Sequence, residues 1–372
     1  NLRGNRIKIA ILGTRGIPNN YGGFEQFAEY LSVKLVERGH SVTVYNPHHH
    51  EYKDQEYNSV NIRKIYDPEK WIGSASQIFY DYFCLRDSVK HCDDIVIELG
   101  YQSSALSMFL LNTKKIKIIT NMDGMEWKRQ KWNRFVKLLT RLFEKIAIKK
   151  SDEIVVDSMG VFDYVENQYG IQPVYIPYGA VPVDKFDSHI IQKFNLITDD
   201  YFLLIARIEP ENNIEMIIKG VIGSNTSDVL VVIGNYQSSY GIKLFNKYSD
   251  NNRIKFLGGI YNKIELDSIR HFSKMYFHGH SIGGTNPSLL EAMAAGCFIS
   301  AHKNEFNNFV LGNDGNYFKS SSEISKIISN ERCYNDKKIF VSNNLKKIIT
   351  DYNWDKITDE YEKLILKMMR ID

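Results

Sequence analysis

A short segment, residues 277–297, combines residue types that suit a phosphate and a sugar. Gly283 and Gly284 let the backbone approach a ligand closely, and Pro287 is typical of the first turn of a helix. The N–H groups at a helix start, together with the helix dipole, attract an anion. The segment therefore predicts a phosphate clamp at the start of a helix.

The predicted helix supplies the other half of this clamp. The N–H groups of Asn286, Ser288 and Leu289 are expected to be free for the anion. Glu291 follows Pro287 by one helical turn, where its carboxylate can accept hydrogen bonds from ribose hydroxyls. Nucleotide-sugar binding is the leading hypothesis. The alternative is a buried βα turn whose glycines serve packing and whose glutamate caps the backbone.

Three residues in front of this helix belong to the same expected donor site: His280, Gly284 and Thr285. Gly284 lets the backbone approach the ligand. The imidazole of His280 either donates to a phosphate or sugar, or only stabilises the turn.

Arg207 lies at the end of a strand pattern over 201–207 and is followed by a polar loop. Ligands of parallel α/β sheets bind at the carboxyl ends of the strands, and a guanidinium matches a diphosphate with two parallel hydrogen bonds. We therefore expect Arg207 to bind the donor and to act in catalysis by neutralising the leaving group. The alternative is an ion pair with Glu209 or Glu211.

The first half of the chain carries a similar loop, residues 13–23, between a strand and a helix. Its glycines do not form GxGxxG and no acidic residue ends the second strand, which weakens a nicotinamide-binding interpretation. Gly22 and Gly23 are predicted at the helix start, where they contribute to donor binding. Arg15 is a candidate charge partner for the diphosphate, with a solvated loop arginine as the alternative.

The loop over 120–132 follows another strand and offers Asp123 and Glu126 beside Trp127. These carboxylates are candidates for binding an acceptor hydroxyl, and Asp123 is also a catalytic candidate that stabilises positive charge at the sugar carbon. The alternative is a helix N-cap, because acidic residues are common just before helices.

The helix predicted over 131–150 lies in a stretch, 128–150, with nine Lys or Arg and a single acidic residue, Glu144. Large apolar residues are interleaved with these charges. Such a helix either lies at an anionic membrane surface, with possible peripheral contact of the protein there, or packs its apolar stripe into the core.

Composition excludes several classes of function. The 47 basic and 44 acidic residues among 372 give a net charge of +3, which does not indicate a nucleic-acid-binding protein. Four scattered cysteines indicate neither a disulfide framework nor a zinc site, and a reducing cytoplasm is expected. The three histidines at 48–50 have no partner spaced for a metal, so no metal and no cofactor are predicted. We expect neither a secretory leader nor a membrane span.

Strand and helix patterns alternate along the whole chain, which indicates an α/β protein. The alternation is interrupted by a Pro- and Gly-containing linker at 176–186 and then restarts. We therefore predict two Rossmann-like domains whose parallel sheets face each other across a cleft. Their expected bounds are 1–180 for the acceptor domain and 181–353 for the nucleotide-sugar domain, and a final helix in 354–372 packs back onto the first domain.

The order and spacing of four motifs resemble glycosyltransferase family 4, the retaining enzymes with the GT-B fold. The motifs are YGGFEQFAEYLSVKLVERGHSVTVYN (21–46), IPYGA (176–180), ARIEPENN (206–213) and GGTNPSLLEAMAAG (283–296). Details of the loops are most similar to the bacterial branch that includes rhamnosyltransferases of capsule and O-antigen assembly. The resemblance implies a metal-independent hexosyltransferase that uses a nucleotide-diphosphate sugar and a lipid-linked or oligosaccharide acceptor.

The resemblance also assigns residues. Glu291 matches the second glutamate of the family's paired-glutamate motif and would hold the ribose, while Arg207 matches the diphosphate arginine. Two positions depart from the family's pattern. Gly283 stands where the family has the first glutamate of its pair, and Asn212 stands where the family usually has a lysine, five residues after the diphosphate arginine. Two alternatives are a nucleotide-sugar epimerase of the same fold and a non-catalytic subunit that binds a sugar nucleotide.

Overall fold

The computed structural model describes residues 6–19, 22–122, 124–125, 127, 133–282 and 284–370. The chain forms two compact units, the first containing residues 1–178 together with 354–372 and the second containing 179–353. The chain thus passes between the units at two places, after Tyr178 and after Asn353. In the described part of the chain no helix combines the length and the apolar character needed to cross a bilayer.

The first unit is built on one eight-stranded sheet in the order β3-β4-β2-β1-β5-β6-β7-β8, which is parallel except for the β3–β4 pair. Its strands are Lys8–Leu12 (β1), Ser41–Pro47 (β2), Glu56–Tyr57 (β3), Val60–Ile65 (β4), Ile95–Leu99 (β5), Lys117–Met122 (β6), Glu153–Val156 (β7) and Val174–Tyr175 (β8). Its helices are Gly23–Glu37 (α1), Glu69–Ile72 (α2), Ser76–His91 (α3), Ala105–Leu110 (α4), Arg134–Lys150 (α5) and Met159–Tyr169 (α6). The central strands are buried apolar runs, as expected for a parallel sheet covered on both faces.

The second unit has a fully parallel six-stranded sheet in the order β11-β10-β9-β12-β13-β14. Its strands are Tyr201–Ile205 (β9), Val229–Ile233 (β10), Ile254–Gly258 (β11), Met275–His278 (β12), Ile299–His302 (β13) and Asn316–Phe318 (β14). Its helices are Ser188–Gln192 (α7), Ile214–Ile222 (α8), Ser239–Tyr248 (α9), Lys263–His271 (α10), Pro287–Ala294 (α11), Glu305–Leu311 (α12), Ser321–Ser329 (α13) and Lys337–Thr350 (α14). The sequence patterns did not indicate β13 and β14, which are only four and three residues long.

Helix starts in both units are stabilised by side chains that accept a backbone N–H two or three residues further on. These N-cap residues are Asn133, Ser158, Asp187, Ser238, Asn262, Asn286, Asn304 and Ser320. These eight caps mark where their helices begin, and therefore which loop residues precede those helices.

The last helix, Trp354–Met369 (α15), belongs to the first unit and packs on α1. Arg38 binds two of its carboxylates, with distances of 2.6 Å to Asp359 and 2.7 Å to Glu362. Tyr361 accepts a hydrogen bond of 2.8 Å from Asn121 of β6. Helix α15 is thus tied to the first sheet as well as to α1.

The ring of Phe27 is the apolar centre of this packing. It lies 5.4 Å from the rings of Tyr178 and Tyr361 and 5.8 Å from Trp354, and it is almost completely buried. The ring of Phe27 therefore packs both against Tyr178, where the first chain segment of this unit ends, and against helix α15.

We expect Phe27→Ala to lower the free energy of unfolding of the first unit by about 3–5 kcal/mol, because it leaves a cavity among three aromatic rings. Urea unfolding followed by circular dichroism measures this change. Phe79→Ala is the matched control, because Phe79 is 52% exposed on α3 and its loss should cost less than about 0.5 kcal/mol. Equal effects of the two substitutions would contradict the role given to Phe27.

Candidate functional site

The carboxyl ends of β9 and β12 are neighbours in the second sheet, and the loops that follow them are joined closely. A Cβ atom on Gly279 would lie 2.0 Å from the backbone oxygen of Asn212, so only glycine permits this approach. The Nδ2 of Asn213 donates to the backbone oxygen of Gly279 at 2.8 Å. Both N and Oγ of Ser281 donate to the backbone oxygen of Glu211, at 3.1 Å and 2.7 Å. The two segments predicted to bind the donor are therefore held in contact at one edge of the second sheet.

Arg207 is exposed at this edge, two residues beyond the end of β9. Its guanidinium forms no ion pair with any described residue, and in particular none with Glu209 or Glu211. Its backbone oxygen accepts a 2.7 Å hydrogen bond from the side chain of buried Asn212. Asn212, which stands where the resembling family has a lysine, therefore braces the loop through the backbone of Arg207.

His280 and His278 stack with their ring centroids 4.4 Å apart. Both ring nitrogens of fully buried His278 lack a hydrogen-bond partner among the described residues. Burial, followed by the charge of Arg207, lowers the pKa of His280 to about 3. Burial and the neighbouring His280 also lower the pKa of His278. Near neutral pH both rings are therefore uncharged, and His280 lies within the electrostatic influence of Arg207.

The start of α11 corrects one expectation. The Oδ1 of Asn286 accepts the N–H of Ser288 at 2.9 Å, and the backbone oxygen of Asn286 accepts the N–H of Leu289 at 3.0 Å. These two N–H groups are therefore not free for an anion, because the helix satisfies them itself. Buried Thr285 and the bend at Gly284 lead into this cap, while Gly283 lies outside the described residues.

Glu291 lies in the second turn of α11 and forms an ion pair with Arg270 of α10. The side chain of Arg270 is only 4% exposed and also binds Asp267 at 3.1 Å. Burial opposes the charge of Arg270, but the carboxylate of Glu291 raises the pKa of the guanidinium above its ordinary value. The ion pair fixes the direction of a carboxylate whose side chain remains 29% exposed.

No sequence motif singled out Arg270. The sequence signal that could have identified Arg270 is its position three residues after Asp267 in an amphipathic helix. This spacing places both side chains on one side of α10. No such spacing connects Arg270 to Glu291, because they lie on different helices.

In the first unit, Gly22 is the N-cap of α1 and Gly23 is its first residue. The carboxylate of Glu25, in the first turn, accepts the N–H of Arg15 at 2.8 Å and the hydroxyl of Thr14 at 3.2 Å. A side chain of the protein itself thus places negative charge at this helix start. The guanidinium of Arg15 pairs with Glu69 at 3.2 Å, so it is not simply solvated.

Tertiary structure also brings two carboxylates to the histidines at 48–50. Ligand atoms of His49, Asp67 and Glu69 lie within 4.8 Å of one another, the one such group among the described residues. Sequence spacing indicates no metal partner for these histidines, whereas the fold brings Asp67 and Glu69 to His49 from a separate segment. Arg15 already provides a positive charge beside Glu69.

The two acceptor candidates, Asp123 and Glu126, lie outside the described residues. Their neighbour Trp127 is described, and its indole N–H donates to the hydroxyl of Tyr164 at 3.2 Å. The guanidinium of Arg141 lies over the indole ring, 3.9 Å from its centroid. Trp127 is thus anchored to α5 and α6.

Comparison with known proteins gives one family match and several relatives. Residues 6–181 match the family described as a domain of unknown function, DUF1972. An uncharacterized glycosyltransferase of Methanocaldococcus jannaschii is 25% identical, over 98% of this chain and 99% of that protein.

Solved structures are similar over almost the whole chain. Sucrose-phosphate synthase from Thermosynechococcus elongatus has a TM-score of 0.79 at 15% identity and covers 98% of this chain and 100% of its own. HepE of Anabaena, solved in complex with UDP and glucose, has a TM-score of 0.74 at 15% identity, covering 97% and 100%. The chain is therefore similar in sequence to a glycosyltransferase, and its two parallel-sheet α/β domains have the GT-B glycosyltransferase fold.

Proposed function

We propose that this protein is a retaining glycosyltransferase that moves a sugar from a nucleotide-diphosphate donor to a hydroxyl of an acceptor. The observation that carries the proposal is Arg207, an exposed guanidinium without an ion-pair partner among the described residues at the carboxyl edge of the second sheet. A diphosphate supplies the opposite charge and the matching geometry. The sequence similarity to a glycosyltransferase and the GT-B fold support the same chemistry.

In the proposed reaction, the bond between the sugar carbon and the diphosphate oxygen breaks, and its electron pair leaves with the diphosphate. The acceptor oxygen forms the new bond on the same face of the sugar, and its proton passes to the leaving phosphate. Arg207 stabilises the negative charge that develops on that phosphate. Neutral His280 adds a hydrogen bond to the phosphate or sugar without a second positive charge. No protein nucleophile is required, and no metal ion enters the scheme.

Glu291 is proposed to bind the ribose of the nucleotide. Its carboxylate is held by buried Arg270, so it does not need to be ordered when the nucleotide arrives. The N-capped start of α11, with Gly284 and Thr285, forms the adjoining wall of the proposed donor site.

The transferred sugar is proposed to be a hexose such as rhamnose, and the acceptor a lipid-linked or oligosaccharide chain of cell-surface polysaccharide. This part of the proposal rests on the resemblance of residues 13–26, 121–132 and 278–293 to capsule and O-antigen rhamnosyltransferases. Asp123 and Glu126 remain the proposed acceptor ligands. Four unpaired cysteines agree with a cytoplasmic site of action.

The proposal is tested by incubating the protein with labelled donor sugars, with and without lipid-linked and oligosaccharide acceptors. Label transferred only when an acceptor is present establishes a transferase. Conversion of the sugar without an acceptor would instead establish an epimerase, and donor binding without either product would establish a non-catalytic subunit.

We predict that the matching donor stabilises the second unit in the presence of EDTA, because Arg207 supplies the charge that a metal would otherwise provide. A thermal-shift screen of deoxythymidine-, uridine- and guanosine-diphosphate sugars measures this. At about a hundred times the dissociation constant the gain is about 2.7 kcal/mol. The free sugars are the control, and stabilisation that appears only with added magnesium or manganese would contradict the prediction.

Glu291→Ala should weaken nucleotide binding by about 1.5–3 kcal/mol, the range for hydrogen bonds to a charged group. Because it also leaves buried Arg270 with only Asp267, we expect it to lower the free energy of unfolding by about 1–2 kcal/mol, less than for a fully buried pair. Calorimetric titration with the nucleoside diphosphate and urea unfolding measure the two effects. A loss of stability with unchanged affinity would make the carboxylate purely structural.

Arg207→Ala should lower turnover by about a hundredfold, and lower donor affinity by less, because its interaction strengthens as charge builds on the leaving phosphate. Arg207→Lys should restore only part of the rate, since the two parallel hydrogen bonds are lost. Steady-state kinetics combined with donor titration separates the two quantities. Equal losses in turnover and affinity would mean uniform binding of donor and transition state.

A further inference from the structure

Helix α5 is oriented with its polar side inward. Its buried residues are Thr140, Glu144 and Ala147. Its large apolar residues are exposed instead: Phe135 (73%), Leu138 (69%), Leu139 (38%) and Leu142 (51%). At about 100° per residue, these four lie on one side of the helix and the three buried residues on the opposite side. The alternative in which the apolar stripe packs into the core is therefore wrong for these four residues.

A buried hydrogen-bond network holds α5 in this orientation. The hydroxyls of Tyr101, Tyr164 and Tyr169 all donate to the carboxylate of Glu144, at 3.0, 2.6 and 2.5 Å. Burial and the hydrogen bond to Glu144 raise the pKa of Tyr164 to about 12, so this donor keeps its proton. Rotating the helix to bury its leucines would expose this network and lose its hydrogen bonds. The outward apolar side is thus a fixed feature of the fold.

Helix α4 extends the apolar area. Its Phe109 and Leu110 are 60% and 61% exposed, and α4 packs against α5. The ammonium of Lys150, at the end of α5, lies 5.9 Å from the centre of the Phe109 ring. We call the following six residues the α4–α5 surface: Phe109, Leu110, Phe135, Leu138, Leu139 and Leu142.

Positive charges border the α4–α5 surface. Arg134, Lys145, Lys149 and Lys150 are exposed, and none forms an ion pair with a described residue. The single acidic residue of α5, Glu144, is fully buried on the other side of the helix. An apolar area bordered by unpaired cations is complementary to a layer of anionic groups above an apolar interior.

We propose that the α4–α5 surface docks on an anionic lipid bilayer, with its apolar side chains in the headgroup boundary and its cations on lipid phosphates. A second copy of this chain fits less well, because a twofold contact would bring the same cations together without acids between them. The proposal rests on this surface alone and not on the proposed transfer reaction. If that reaction has a lipid-linked acceptor, the docking brings the first unit to it.

Sedimentation with vesicles tests the proposal. The full chain should bind vesicles of phosphatidylglycerol and phosphatidylcholine at low salt, bind pure phosphatidylcholine much less, and be released at high salt. Leu138→Ser with Leu142→Ser should weaken binding by about tenfold for each leucine. Lys145→Gln with Lys149→Gln should weaken it by about fivefold for each lysine. These residues are exposed, so circular dichroism should show unchanged folding.

Helix α14 of the second unit offers matched controls. Ile339 and Ile349 are each 58% exposed, and Lys338 and Lys346 are exposed as well. The corresponding changes, Ile339→Ser with Ile349→Ser and Lys338→Gln with Lys346→Gln, should leave vesicle binding unchanged. A Phe135→Trp variant gives a second readout, because its emission should shift to shorter wavelength only with anionic vesicles.

Several outcomes would overturn the proposal: no binding to anionic vesicles, equal binding to neutral ones, or equal losses in the α5 and α14 variants. A dimer in sedimentation equilibrium that Leu138→Ser with Leu142→Ser abolishes would assign the surface to a second copy. Donor binding by the same samples is measured in parallel, so that failure of the transferase proposal is seen separately from failure of the docking proposal.

Discussion

The parallel pairing of β9 with β12 determines where the candidate donor residues of the second unit lie. In this pairing Tyr276 is opposite Leu203 and Phe277 is opposite Leu204, so the two strands end at the same edge. Arg207 follows one strand and His280 follows the other. The missing side chain of Gly279 lets the loops touch, since any Cβ there would collide with Asn212. If that glycine were replaced, the loops would have to separate.

Within each unit, the protein's own side chains satisfy several of the charges and helix starts that the sequence assigns to a ligand. Glu25 supplies negative charge at the start of α1, and Asn286 caps the start of α11. Arg270 compensates Glu291 from a buried position. The guanidinium of Arg207, which follows β9, has no ion-pair partner among the described residues. The proposed anion binding in this unit therefore relies on the side chain of Arg207 more than on the dipole of α11, whose first N–H groups are already satisfied.

In helix α5, compensation of a buried charge by the protein leaves apolar residues exposed at the surface. One buried carboxylate, Glu144, needs hydrogen-bond donors, and three tyrosines provide them. A buried carboxylate without donors would cost far more than the exposure of a few leucines. The polar network therefore determines the rotation of the helix, and the apolar residues are left outside. A large apolar area kept at the surface in this way is typical of an interaction site.

The sequence by itself determined the α/β fold class, most of the strands and the helix that starts at Pro287, because burial of a parallel sheet imposes continuous apolar runs between amphipathic helices. It also identified Arg207 and Glu291 as candidate donor-binding residues, because the glycines and prolines beside them mark the loops that follow strands and precede helices. Tertiary structure alone decided the partners: Arg270 for Glu291, Glu69 for Arg15, and tyrosines of other elements for Glu144. Periodicity shows that a helix has an apolar side, but the side that turns inward depends on what distant residues present to it.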